Sequence, residues 1–158
     1  MLEKDEAHIL FESVDRKFLD ASFAWLEDEG FRKLILAERV NKAMQEKWYS
    51  SLTSRTDYFI WGVKCDHEWI GACGIKGVSR ASKEAEYWGY IYPENMRRKK
   101  IGSQIFAFCR EKAIAVGVEK LWLTVARDNE SALNVYLKWG FVEVPGGCPN
   151  TLRMERQV

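Results

Sequence analysis

The sequence predicts an α+β (α/β) domain: one mixed, mostly antiparallel sheet of about seven strands, flanked by about four helices. Three observations predict it. Stretches of strand and helix character alternate in the order β-α-α-β-β-β-α-β-α-β-β. Capping residues open the helical stretches, and glycines stand where they end. No linker, repeat or low-complexity tract divides the 158 residues, so one domain with one core is expected over 1–158.

Residues 8–14 read as the first strand. Asp15 can cap a helix to about Glu29, with Phe18, Leu19, Ser22, Phe23, Trp25 and Leu26 on its apolar side and Gly30 as its stop. Phe31 to about Val40 reads as a short helix or a loop. A helix follows from about Asn41, with Met44, Trp48, Tyr49 and Leu52 at helical spacing. Residues 57–64 and 69–78 form a hairpin around Cys65-Asp66-His67-Glu68. Three glycines in the return strand mark bends or close approach of another backbone. Residues 84–92 are the next strand. The helix from Ile101 to about Val116 buries Ile105, Phe108, Cys109, Ala113 and Val116, and ends at Gly117. A strand over 119–126, a helix capped by Asp128 or Asn129, a strand from Phe141 and a last strand over 151–157 complete the chain.

Composition narrows the function. The formal net charge is +1, which argues against a general nucleic-acid or anionic-membrane binder. The four cysteines are widely spaced with no CxxC pair, so neither a metal site nor a redox dithiol is supported. Reduced thiols and the lack of a legible leader or a long apolar run set the expectation of a cytoplasmic protein. Neither His8 nor His67 belongs to a Ser-His-Asp or Cys-His arrangement. The unusual number is seven tryptophans, which suit a core and equally an acceptor pocket.

The stretch richest in chemistry is Tyr87 to Ser103. An aromatic strand ends at Pro93. Four basic residues follow (Arg97, Arg98, Lys99, Lys100), and Ile101-Gly102-Ser103 open a helix. A helix start has N–H groups without intrahelical partners and a positive dipole end, so this turn is suited to a phosphate. About thirty residues on comes Asn129-Glu130-Ser131-Ala132, then Tyr136 and Gly140-Phe141.

These two stretches, in this order, resemble the GNAT superfamily of acetyl-CoA-dependent N-acetyltransferases. Its phosphate loop reads Arg/Gln-x-x-Gly-x-Gly/Ala, and its late helix reads N-x-x-A-x-x-x-Y-x-x-x-G-F. Asn129, Ala132, Tyr136, Gly140 and Phe141 match the second pattern at each fixed position. The loop departs once, with Lys100 in place of the central glycine. The resemblance covers about residues 57–144, which makes 57–144 the acetyl-CoA-binding core and 1–56 the acceptor side.

The resemblance implies a splayed central sheet, acetyl-CoA as acetyl donor and no metal. Arg97 to Ser103 would hold the pyrophosphate. The main chain of Tyr90, Ile91 and Tyr92 would carry the pantetheine arm, with an N–H near Tyr90 or Ile91 facing the thioester carbonyl. Asn129 and Ala132 would lie against the cofactor. Tyr136 would protonate the leaving thiolate. Glu86, eleven residues before Arg97, is the expected general base, with Glu84 as its rival on the same strand face. Thr124 holds the place where other branches carry a glutamate.

Trp25, Trp48 and Trp88 are the expected acceptor contacts. The segment 85–91 resembles the branch of ribosomal-protein acetyltransferase-like and nucleotide-linked amino-sugar N-acetyltransferases. Three functions stand open: acetylation of an amino sugar or other small primary amine, acetylation of a protein N-terminus or lysine, and acyl-CoA binding without catalysis. The partners implied are acetyl-CoA and an amine, as monomer or homodimer.

Overall fold

A computed structural model describes residues 8–97 and 100–158. The elements run β1 (Ile9–Glu12), α1 (Arg16–Trp25), α2 (Glu29–Leu34), α3 (Lys42–Ser51), β2 (Phe59–Cys65), β3 (Glu68–Ser79) and β4 (Glu84–Ile91). They continue with α4 (Ile101–Ala115), β5 (Lys120–Ala126), α5 (Glu130–Lys138), β6 (Val142–Val144) and β7 (Thr151–Gln157). The strands form one seven-stranded sheet in the order β1-β2-β3-β4-β5-β7-β6. Among the described residues, only β4 and β5 pair in parallel. The expected mixed, mostly antiparallel sheet is therefore present, flanked by five helices among the described residues.

Local chemistry explains the boundaries. Asp15 caps α1 by accepting from the Phe18 N–H at 2.8 Å. The helix stops at Trp25, earlier than expected, and Gly30 is not its stop. Asp28 instead accepts from the Phe31 N–H at 3.1 Å and opens α2 with Gly30 inside it. A side-chain cap contributes about 1 kcal/mol, enough to offset the similar cost of a helical glycine. Met44 is 52% exposed, against expectation, and α3 instead turns Gln45 inward to donate to Ser22 Oγ at 2.8 Å. The β2–β3 hairpin turns at Asp66 and His67, both left-handed (φ 49° and 67°), the twist that two-residue hairpin loops favour.

One feature of the sheet positions the site. β4 and β5 pair only at Glu84–Lys120, Ala85–Leu121 and Glu86–Trp122. Beyond Glu86 they splay, although β4 stays paired with β3 and β5 with β7. The back face is the larger core. There Ala85, Tyr87, Ile91, Leu121, Leu123 and Val125 pack with Ile101, Ile105, Phe106, Cys109 and Ala113 of α4. Phe106 takes the buried place expected of Phe108, whose ring instead stacks on Phe11 at 3.9 Å. On the front, Phe18, Trp25 and Phe31 close over Trp88, Tyr90 and Tyr92.

Candidate active site

The site grows out of β4. The Tyr92 N–H donates to the Ile70 carbonyl at 2.8 Å. In an antiparallel pair such bonds alternate, so the main-chain groups of Trp88 and Tyr90 also face β3. Those of Gly89 and Ile91 face the opening, where β5 has left. Of the three residues expected to offer main-chain groups to the pantetheine arm, Ile91 turns its N–H toward the opening, Tyr90 turns its main chain to β3, and the Tyr92 main chain is bonded within the protein.

Gly89 is not among the expected site residues. A Cβ there would lie 2.9 Å from Tyr87 Oη and 3.1 Å from Ile105 Cγ2, so this point on the back face accepts only a glycine without adjustment. The signal in the sequence is a lone glycine inside an aromatic strand.

The basic loop divides its work. Arg97 Nε donates to the Ile91 carbonyl and Nη2 to the Tyr92 carbonyl, each at 2.8 Å. Its guanidinium also lies 5.9 Å from the Phe31 ring centre. Arg98 and Lys99 lie outside the described residues. Lys100 is left-handed (φ 59°, ψ 16°) and stands at the N-cap of α4 without a side-chain cap bond. Positive φ is what the glycine of the motif would supply, and here a lysine adopts it. Ser103 Oγ turns back to the Lys100 carbonyl at 2.9 Å. Ile101 is buried, and Gly102 approaches Trp139. The start of α4 thus presents backbone N–H groups beside a lysine, which fits a phosphate.

Glu86 stands at the fork, the last residue of β4 paired with β5. Its carboxylate is 21% exposed and lies 3.3 Å from Lys76 Nζ. Its rival Glu84 is held two pairs further from the opening, by Lys120 at 3.1 Å. Both share the front face with Trp88 and Tyr90, as the period of two requires. Thr124 is exposed beyond the fork.

Tyr136 lies on the back side of the sheet. It packs against the back core, 5.7 Å from the Trp139 ring and 5.9 Å from the Phe141 ring. Burial pushes its hydroxyl above the ordinary tyrosine range, so it keeps its proton at neutral pH. Asn129 caps α5 by accepting from the Ala132 N–H at 3.2 Å, which engages its side-chain oxygen.

The three tryptophans separate. Trp25 is 7% exposed, in edge contact with Tyr90 and stacked on Tyr92, so it belongs to the front core and not to an open pocket. Trp48 and Trp88 are half-buried and both lie beside Tyr58. Burial pushes the Tyr58 hydroxyl up to about 12, against a hydrogen bond with Trp48 and the Arg55 charge; the charge of Glu86 adds to the rise. The Trp88 indole N–H is buried with no partner among the described residues. No group of metal-ligating side chains occurs among the described residues.

The sequence pattern of the acetyltransferase (GNAT) family matches residues 21–141. The chain belongs to that family. By membership it is an acetyl-CoA-dependent N-acetyltransferase, and the splayed β4–β5 pair is the GNAT fold. Spermidine N-acetyltransferase from Vibrio cholerae, solved with CoA and spermine, superposes with a TM-score of 0.83 at 17% identity, covering 94% of this chain and 95% of that one. The PaiA N-acetyltransferase of Thermoplasma acidophilum, solved with coenzyme A, gives 0.74 at 19% identity over 96% and 99% of the chains. An acetyltransferase of Thermus thermophilus gives 0.77 at 19% identity over 97% and 99%. None of the curated proteins matches the chain significantly. At these identities the GNAT structures establish the fold and leave the acceptor open.

Proposed function

We propose that this GNAT enzyme acetylates a small primary amine by direct attack, with Glu86 as base and Tyr136 as acid. The observation that carries the reading is the open edge of β4. It offers the Gly89 and Ile91 N–H groups between a front-face carboxylate and a back-face tyrosine.

Acetyl-CoA, when bound, supplies the activated acetyl group. The main chain of Gly89 and Ile91 would bond the pantetheine arm as an added strand, and the first turn of α4 with Lys100 would hold the phosphates. An amine arrives as an ammonium and must lose a proton before it can attack. Glu86 takes that proton, directly or through a water. The Gly89 N–H, the open-edge amide nearer Glu86, faces the negative charge that develops on the acetyl oxygen. Tyr136, still protonated, gives its proton to the departing sulfur. The nitrogen sheds two protons in all: the first goes to Glu86 and on to solvent, and the second, lost from the tetrahedral adduct, makes good the proton that Tyr136 gives to the sulfur.

Trp88, Tyr58 and Trp48 would form the aromatic side of the acceptor site next to Glu86. Aromatic faces beside a carboxylate suit a cationic amine or the face of an amino sugar. The amine of the Vibrio neighbour, spermine, is a cation of this kind, whereas the resemblance of residues 85–91 points to a nucleotide-linked amino sugar. Thiol release from acetyl-CoA, followed with spermidine, a nucleotide-linked amino sugar and a lysine peptide, tests the reading. Turnover with either small amine and not the peptide is expected. Turnover on the peptide alone would move the assignment to protein acetylation. CoA binding without turnover on any amine would make the chain a binding module.

A further inference from the structure

A strand edge that loses its neighbour keeps its hydrogen-bonding groups, and those near a core need other partners. At the open edge of β4 the Ile91 carbonyl faces the place that β5 has left. It is not vacant, because Arg97 Nε donates to it at 2.8 Å. The same planar fork reaches the next carbonyl, Tyr92, at 2.8 Å through Nη2. On the other side of the strand, the Tyr92 N–H is fixed to Ile70. The Phe31 ring lies 5.9 Å from the guanidinium carbon. The end of β4 is therefore held from both edges, and one of the two holders is a side chain from the basic loop.

We infer that Arg97 is a positioning residue and not a phosphate ligand: it caps the open edge of β4 and sets how far along that edge a pantetheine arm can pair. The arm meets the Gly89 and Ile91 N–H groups, and pairing stops at the Ile91 carbonyl, which Arg97 already fills. That stop fixes which amide faces the thioester. The inference rests on the acetyl-CoA reading above. It shifts the phosphate work to the α4 backbone and Lys100. A planar fork spanning two successive carbonyls suits arginine, and a lysine could serve only one of them well.

Donor truncation separates the roles. S-acetylpantetheine has the arm and thioester of acetyl-CoA but no pyrophosphate. Arg97→Gln should lower kcat by roughly ten- to a hundredfold with both donors, since small displacements near reacting atoms cost that much. The ratio of kcat/KM between the two donors should stay at the wild-type value, and Arg97→Lys should recover part of kcat. A loss confined to acetyl-CoA would make Arg97 a phosphate ligand and overturn the inference, as would unchanged kcat with both donors.

Amide hydrogen exchange supplies an arm that needs no turnover. Arg97→Gln should speed exchange at the Tyr92 amide about tenfold or more by freeing the strand end. Exchange at the wild-type rate would overturn the clamp even if the enzyme assay worked. Faster exchange in a protein that neither binds CoA nor turns over would keep the clamp and sink the acetyltransferase reading.

Discussion

The two ends of β4 differ in how their polar groups are satisfied. At the paired end, β5 completes the ladder, and ion pairs lie over it on the front face: Glu84 to Lys120, Lys120 to Glu155 and Glu86 to Lys76. At the open end, β5 is gone, and Arg97 donates to the Ile91 carbonyl. The Gly89 and Ile91 N–H groups are left to face the gap. An open strand edge over a packed core is a place where a ligand can pair with the backbone as a further strand would. The fork between the ends is where a base can be tied to the scaffold and still meet the gap. Glu86 occupies it.

The largest expected effect tests the fork. Glu86→Gln keeps the shape and removes the base. Turnover should fall by about 10²- to 10⁴-fold, the usual worth of a positioned base. Calorimetric CoA affinity should stay unchanged, because Glu86 lies on the front face, away from the α4 start. If kcat is retained, the chemistry does not run through the fork and the two ends differ only in architecture.

The next effect tests the open end. Gly89→Ala puts a Cβ 2.9 Å from Tyr87 Oη and 3.1 Å from Ile105 Cγ2. Overpacking of this sort destabilises by about 1–3 kcal/mol, readable as a lower urea midpoint. CoA affinity should fall with it, because the strand must shift where the arm pairs. A stable variant with full affinity would show that the edge is not held as tightly as its glycine suggests.

Buried tyrosines at and around the open end predict a pH response. Burial raises Tyr87, Tyr90 and Tyr136, and raises Tyr58 to about 12. Each folded value exceeds the unfolded value of about 10, so the stabilisation is complete below pH 10 and is lost as pH rises through the folded values. The thermal midpoint should therefore stay level toward pH 10 from below and fall above it, with tyrosinate absorbance rising in the same step. Tyrosinate absorbance that develops fully near pH 10 in a folded protein would show that these hydroxyls are solvated.

Much of this is legible in the sequence because local chemistry and fold agree. Asp15 caps the helix it is expected to cap, Asn129 takes the role left open between it and Asp128, and α3 starts beside Asn41, where a helix is expected to begin. The β2–β3 turn and the front-face series on β4 follow from residue type and a period of two. The failures have physical reasons. Asp28 outcompetes Gly30 for a helix boundary. Trp25 is at the spacing of an amphipathic face, but the sequence does not say whether aromatic residues meet a ligand or one another. The outward edge of β4 depends on its register with β3, a long-range property, so in sequence Tyr90 and Tyr92 look as suitable as Ile91, and Gly89 does not stand out. The bonds of Arg97 to the Ile91 and Tyr92 carbonyls are not legible either, because a basic loop shows its charge and hides its partners.

The smallest expected effect concerns Lys100, the departure from the family pattern, and it carries the comparison into the loop beyond the open end. A non-glycine residue in the left-handed region is strained by about 1–2 kcal/mol, part of which glycine gives back through the greater freedom of its unfolded chain. Lys100→Gly should therefore stabilise the fold by roughly 0.5–1 kcal/mol, read as a raised urea midpoint. The same change removes a cation beside the α4 start. CoA affinity should drop at low ionic strength, with most of the difference gone at high salt, as screening of an exposed charge requires. A rise in affinity would mean that backbone clearance outweighs charge, and that the lysine obstructs the phosphates it was expected to hold. The two readouts separate the strain from the charge, because only the midpoint shift persists at high salt.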